Sequence, residues 1–300
     1  MNRKFFLSFS LLFILLGTLT VAECQQEEKE SFYSKSNRLI LRLEHSERSS
    51  AERADHSIAR SKPDGTAFFV QWNDELYVVT AGHVAEKKYD LGAKVWSKLV
   101  DSGETKAVFL HLPKNRWVYH PDRGDAETRS VDVAAMKISW LQGHQVMTFL
   151  YAEEGKKEGK GNQLSFQDPE PPQPVLVFGF PSEIGFELTE QKPLGRMGII
   201  SMVAGKKFIK MEGKFLEERA CLIDIPAFPG NSGSPVINQF DPTTPSPVRL
   251  LGVLFGTNPK RHYAIIEPVS RIRETLEIAR RQSLEGLSFW SLTGSHPDKP

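Results

Sequence analysis

The sequence predicts an all-β protein. Short runs rich in valine, isoleucine and aromatic residues recur along its 300 residues, turn residues separate them, and helical periodicity is confined to one segment near the C-terminus. Several short strands at regular spacing argue for a sandwich or a barrel.

Residues 1–22 stand outside that fold. Asn2-Arg3-Lys4 precedes an apolar stretch from Phe5 to Val21 and then Ala22, the pattern of a secretory signal peptide. The stretch is borderline for crossing a bilayer, so a retained membrane helix is the alternative. Val21-Ala22-Glu23-Cys24 resembles a lipoprotein box, with Glu23 where a small residue is expected. The chain is therefore read as exported, periplasmic or secreted, with membrane contact only if Cys24 is lipidated. Residues 23–36 are charged and apolar-poor and read as a flexible leader.

The first half supplies strands at Arg38–Leu43, Lys94–Leu99, Lys106–Leu112 and Val131–Ile138. Between the first two, Gly65–Trp72 and Glu75–Thr80 flank Asn73-Asp74 and predict a hairpin. Ser46–Asp64 and Pro113–Arg129 are polar connections. Tyr151–Pro174 is charged and rich in glycine and proline, a linker. Strands then follow at Pro174–Pro181, Gly195–Val203, Glu218–Ile225, Ser234–Asn238, Val248–Phe255 and Tyr263–Ile266. Pro268–Gln282 places Val269, Ile272, Leu276 and Ile278 at helical spacing, an amphipathic terminal helix, and 283–300 read as a tail.

A hydrophobic content of 40% is ample for a buried core. The formal charge of +1 becomes −1 once Arg3 and Lys4 leave with the leader, and there is no Lys/Arg stripe. Such a balance gives no field that would recruit nucleic acid. Cys221, in Ala220-Cys221-Leu222-Ile223, reads as a buried thiol, and whether it bridges to Cys24 is left open. With no paired-cysteine spacing, no His-Glu-x-x-His and no glycine-rich phosphate loop, no metal and no cofactor is expected.

One stretch points to chemistry: Pro226-Ala227-Phe228-Pro229-Gly230-Asn231-Ser232-Gly233-Ser234-Pro235-Val236. A serine between glycines suits a nucleophile on a tight turn, and the amides of Gly230 and Ser232 would form an oxyanion hole. By composition alone the stretch is equally a surface loop. A serine hydroxyl needs a base, and the base needs an orienting group. His83 follows the apolar run Leu76–Thr80 through Ala81-Gly82, and Asp132 opens an apolar strand. Seven other histidines lack that setting, and Asp122 and Asp125 precede no apolar strand.

Thr80-Ala81-Gly82-His83, Asp132-Val133-Ala134 and Gly230-Asn231-Ser232-Gly233-Ser234-Pro235 resemble the three motifs of chymotrypsin-fold (trypsin-like) serine peptidases, in the order His, Asp, Ser. The spacings are 132 − 83 = 49 and 232 − 132 = 100 residues. The resemblance covers roughly residues 37–275 and is closest to the bacterial branch of HtrA-type and glutamyl-endopeptidase-type enzymes. It implies two six-stranded antiparallel β-barrels followed by the helix, in one peptidase domain over 37–282 with lobes at about 37–150 and 174–267. It leaves no room for the PDZ domain of HtrA proteins. It also implies a serine endopeptidase acting on protein or peptide substrates, with His83, Asp132 and Ser232 catalytic.

The resemblance places the substrate pocket at Ala227 and Phe228 (base) and Leu254, Phe255 and Gly256 (wall). No acidic residue stands at the base, which disfavours cleavage after Lys or Arg. Leu254 stands where glutamyl endopeptidases have a histidine. A small or medium apolar P1 side chain is expected, although Phe228 reads equally as plain core. Asn231, in place of the aspartate of digestive relatives, is unable to pair with a new N-terminus. The competing reading of the whole chain is a non-catalytic peptidase-fold module that binds a partner at the cell envelope. Nothing in the sequence fixes the oligomeric state.

Overall fold

Asn73 and Asp74 both take left-handed φ, 47° and 63°, the backbone that a two-residue hairpin turn requires. They join β2 (Gly65–Trp72) to β3 (Glu75–Ala81), preceded by β1 (Ile40–His45). The computed structural model describes residues 39–45, 63–99, 101–123, 131–138, 144–145, 149–150, 165–182, 192–204, 209–211, 214–216, 220–238, 248–258 and 262–292. The expected signal peptide, the leader and Cys24 lie outside them.

β1, β2 and β3 continue with β4 (Leu91–Leu99), β5 (Thr105–Leu112), β6 (Val118–Tyr119) and β7 (Val133–Ile138) into a sheet of order β5-β4-β1-β2-β3-β7-β6. Two short strands, β8 (His144–Gln145) and β9 (Phe149–Leu150), pair with β4 and β2. Alternate side chains such as Leu41, Leu43, Phe69, Val78, Val95 and Leu110 face one core, as the period of two of a strand requires, and the intervening Ile40, Phe68, Val79 and Val133 are buried on the other face.

The C-terminal half contains β10 (Ser165–Phe166), β11 (Gln173–Gly179), β12 (Leu194–Val203), a small separate hairpin of β13 (Ile209–Met211) and β14 (Lys214–Leu216), then β15 (Cys221–Asp224), β16 (Pro235–Asn238), β17 (Arg249–Asn258) and β18 (Tyr263–Pro268). Strand pairing runs β17-β16-β11-β12-β15-β18 and returns from β18 to β17, all antiparallel, so six strands close on themselves. Closure removes both sheet edges and surrounds a core of Val175, Val177, Ile223, Val236, Leu251, Leu254 and Ile266. In the N-terminal sheet no described pairing joins β5 to β6. One closed six-stranded barrel, a second sheet and a helix are what the described residues display.

Three expectations change. Val118 and Tyr119, inside the expected Pro113–Arg129 connection, form β6 and pair with Ala135 and Ala134 of β7. Part of the Tyr151–Pro174 linker is ordered into β10, which pairs parallel with β17, Phe166 opposite Leu250. The Phe166 ring stacks 6.3 Å from that of Trp72, so one aromatic inside a polar segment supplies an anchor that composition concealed. The terminal helix begins at Val269, one residue after the expected Pro268, and runs to Leu292, ten residues beyond Gln282 (292 − 282). Leu284, Leu287 and Trp290 continue the apolar spacing past Gly286, a residue that by propensity reads as a stop.

Cys221 is fully buried. Burial, with the charges of Glu267 and Asp168, pushes its thiol up to about 12, so it is inert as a nucleophile.

Candidate active site

The β3–β7 ladder ends with Ala81 opposite Val133, which brings the residues just past β3 and just before β7 side by side. The Gly82 amide donates to the Asp132 carbonyl at 3.0 Å, and the short helix α1 (Gly82–Ala85) turns the chain there. The His83 amide donates to Asp132 Oδ1 at 2.8 Å, and His83 Nδ1 lies 2.5 Å from Asp132 Oδ2. One carboxylate therefore fixes both the backbone and the ring. Because a carboxylate only accepts, Nδ1 carries the proton and Nε2 of the neutral ring is left as an acceptor. The Asp132 side chain is 12% exposed and that of His83 46%, a shielded anion behind an open imidazole.

Asp132 is held from behind as well. Its amide donates to Glu267 Oε1 at 3.0 Å, joining the residue before β7 to the end of β18. Arg123 Nη1 lies 3.6 Å from Asp132 Oδ1, its Nη2 2.5 Å from Glu86 Oε2, and its guanidinium 4.8 Å from the centre of the Tyr119 ring. A Cβ on Gly82 would sit 1.6 Å from Arg123 Nη1, so glycine at that position makes room for the cation. Asp122, weighed against Asp132 in the sequence, is exposed and lies 3.6 Å from Arg271. Asp125 lies outside the described residues.

The loop of Arg123 is tied to the terminal helix α2 (Val269–Leu292). The Asp122 amide donates to His120 Nδ1 at 3.1 Å, so Nε2 of that buried ring donates to Glu274 Oε2 at 2.7 Å. Arg271 Nη1 reaches the same oxygen at 2.8 Å. Burial opposes ionisation of Glu274, but the hydrogen bonds from Arg271 and His120 and the charge of Arg271 outweigh it and hold the carboxyl below its ordinary 4.5. A depressed folded-state pKa contributes stability that is present above 4.5 and is lost as pH falls through the folded value. Glu274→Gln is accordingly expected to cost about 1 kcal/mol at pH 7, a figure discounted for the half-exposed carboxylate. In urea melts the gap to wild type should close as pH drops below 4.5.

The Ser232 loop is built on two glycines in the left-handed region, Gly230 (φ 90°) and Gly233 (φ 88°). Inside the loop the Asn231 amide donates to Phe228 O at 3.1 Å and the Ser234 amide to Asn231 O at 2.9 Å. Gly233 N–H reaches Leu254 O at 2.7 Å, and Leu254 N–H reaches Ser234 O at 2.9 Å. Among the described residues the amides of Gly230 and Ser232 have no acceptor. Ser234, the rival nucleophile, is fully buried.

Thr66 of β2 bridges the two halves. Its amide donates to Ser232 O at 2.8 Å, its hydroxyl donates to Gly230 O at 2.9 Å, and that hydroxyl accepts from the Phe180 amide at 3.1 Å. A Cβ on neighbouring Gly65 would lie 2.6 Å from Val84 Cγ1 and 3.1 Å from Ser232 O. The loop bearing Ser232 and the turn bearing His83 thus meet across Gly65. Thr66→Val keeps the shape but leaves the buried Phe180 amide without an acceptor, which should cost about 1–3 kcal/mol by chemical denaturation and slow any reaction at Ser232.

Of the residues expected to form the pocket, Ala227 and Leu254 belong to the buried core of the barrel. Phe255 packs against both the N-terminal core and the small cluster of Ala220 and Ile265. At half-buried Gly256 a Cβ would approach Ile265 Cδ1 to 3.0 Å. The half-buried Phe228 ring lies under the Arg196 guanidinium at 4.3 Å, and Arg196 Nη1 donates to Pro226 O at 2.7 Å. A cavity of about 420 Å³ opens elsewhere, at the start of α2, lined by Asp168, Val203, Ser270 and Arg273 among others. Among the described residues no group of three His, Cys, Asp or Glu side chains is placed to hold a metal, and no helix is long and apolar enough to cross a membrane.

Residues 65–241 match the family model of the trypsin-like peptidase domain, a span containing all three motifs. The chain belongs to that family. It is a serine endopeptidase, a hydrolase of the trypsin-like kind. No curated protein matches this trypsin-like peptidase in sequence. Solved structures similar to it include Deg5, 16% identical over 83% of this chain and 91% of that one, TM-score 0.49. The active form of the Rv3671c protease from M. tuberculosis is 15% identical over 80% of each chain, TM-score 0.46. Its inactive form is also 15% identical, over 81% of this chain and 89% of that one, TM-score 0.43.

Arg123, Glu267, Thr66 and Arg196 escaped the sequence reading. Only Arg123 sits near a motif, and none carries a local pattern that sets it apart from other polar residues.

Proposed function

We propose that this peptidase cleaves peptide bonds with Ser232 as nucleophile, His83 as general base and then acid, and Asp132 as its orienting group. The observation that carries the reading is the double grip of one carboxylate on His83, ring and amide together. Ser232 Oγ attacks the substrate carbonyl carbon while its proton passes to His83 Nε2. The oxyanion is met by the Gly230 and Ser232 amides, which have no described acceptor of their own. The C–N bond then breaks, the amine leaves with the proton from His83, and an acyl-enzyme remains. Water, deprotonated by the same imidazole, hydrolyses the ester and returns Ser232.

The substrate is a protein or peptide with a small or medium apolar P1 residue, since Pro226, Ala227 and Phe228 bring no carboxylate and Leu254 no imidazole. The enzyme works after export, with the N-terminal sheet completing a second barrel. Mature protein treated with a fluorophosphonate should be labelled, Ser232→Ala should not, and His83→Ala should leave casein uncut. Labelling that survives Ser232→Ala removes the assignment.

A further inference from the structure

Arg196 is an arginine with unusual partners. It sits on β12 opposite Val177 of β11, is half-buried, and burial pulls its pKa below the ordinary arginine value. Among the described residues it forms no ion pair with a carboxylate. The guanidinium instead donates to the Pro226 carbonyl at 2.7 Å and covers the Phe228 ring at 4.3 Å. It therefore holds two alternate residues of one extended segment, while Ala227 between them is buried in the barrel core. The cation–π contact and the charge-assisted hydrogen bond to a carbonyl both favour this one placement of the segment.

The held segment leads directly into the oxyanion loop. Phe228 O accepts the Asn231 amide at 3.1 Å, and Pro229 O accepts from both the amide (2.8 Å) and the hydroxyl (3.0 Å) of Ser182. The peptide between Pro229 and Gly230, whose N–H is one of the two donors left without a described acceptor, is thus fixed by its neighbours. Gly230 has no side chain, so nothing of its own restrains that peptide.

We propose that Arg196 is a positioning residue: it clamps Pro226 and Phe228 so that the Gly230 amide stays turned toward the reacting carbonyl. The inference rests on the catalytic assignment above. A preorganised donor accelerates the reaction because no reorganisation occurs at the moment of charge development. Releasing the clamp lets the 226–230 backbone sample orientations in which the amide points away, and kcat falls while substrate binding changes less.

The test compares wild type, Arg196→Met and Arg196→Lys, with Ser232→Ala as reference. The readout is the second-order rate of labelling by an alkyl fluorophosphonate, in which the serine oxygen displaces fluoride at phosphorus. The probe has no P1 side chain, so its rate reads the oxyanion segment and not the pocket. Methionine keeps the length and the contact with Phe228 but loses the charge and the donor. We expect labelling about tenfold slower in Arg196→Met, within about threefold of wild type in Arg196→Lys, and a peptide-substrate loss that lies in kcat with KM nearly unchanged. Arg196→Met labelled at the wild-type rate overturns the clamp, as does Arg196→Lys no faster than Arg196→Met. If wild type is not labelled, or Ser232→Ala is labelled equally fast, it is the catalytic assignment that fails.

Discussion

Gly233→Ala is expected to cost about 4 kcal/mol or more of folding stability and to slow fluorophosphonate labelling at least about 100-fold. The residue sits at φ 88°, and a Cβ there would lie 1.8 Å from the Thr66 carbonyl oxygen and 2.3 Å from Thr80 Oγ1. Neither neighbour has room to retreat. Thr66 lies in β2 with zero exposure, paired with Arg42 of β1, and its carbonyl accepts the Thr80 hydroxyl at 2.7 Å. The new methyl must therefore push the Ser232 loop away from β2. That movement breaks the Thr66 amide bond to Ser232 O and the Thr66 hydroxyl bond to Gly230 O, the contacts that hold the serine and the proposed oxyanion donor in place. Gly195→Ala is the comparison, since its Cβ would meet the edge of the Phe178 side chain at 2.7 Å where the Gly233 Cβ would meet a strand carbonyl. Urea melts should show it losing less than half as much as Gly233→Ala. Equal losses would mean that close approach of backbone to backbone is not what selects glycine at 233.

The sequence made the hairpin, the strand series and the start of the helix legible, because each rests on a local pattern: alternation around Asn73-Asp74, or apolar spacing from Val269 onward. The pairing of His83 with Asp132 was legible only through motif resemblance, for no local rule joins residues 49 apart. The ladder explains afterwards why they meet, since Ala81 and Val133 are register partners. What remained hidden are contacts with neither periodicity nor motif. Asp132 to Glu267 spans 135 residues, Thr66 to Gly230 spans 164, and His120 to Glu274 spans 154. Each is created when the lobes and α2 come together, so it exists only in three dimensions. Arg196 escaped for a different reason: an arginine on a half-exposed strand face reads as solvated surface, and its partners are a carbonyl and a ring instead of a carboxylate.

Asp132→Asn should lower kcat/KM at neutral pH by about 10⁴ while leaving the fold intact. The wild-type carboxylate accepts twice from His83, Oδ1 from the backbone amide at 2.8 Å and Oδ2 from ring Nδ1 at 2.5 Å. An amide keeps one acceptor and turns the other into a donor. The His83 backbone N–H is always a donor, and Arg123 Nη1 stands 3.6 Å from the same position. The asparagine oxygen must therefore take the Oδ1 place, which points its NH₂ at Nδ1. Two donors do not face each other, so Nδ1 becomes the acceptor and the ring proton moves to Nε2. The nitrogen proposed to receive the Ser232 proton is then already occupied. This mechanism makes the loss one of protonation state and not of structure. Thermal melts should stay within a few degrees of wild type while peptide hydrolysis collapses. The alternative, that Asp132 serves mainly to hold α1 against β7, predicts the reverse: a large drop in melting temperature and activity that follows the folded fraction.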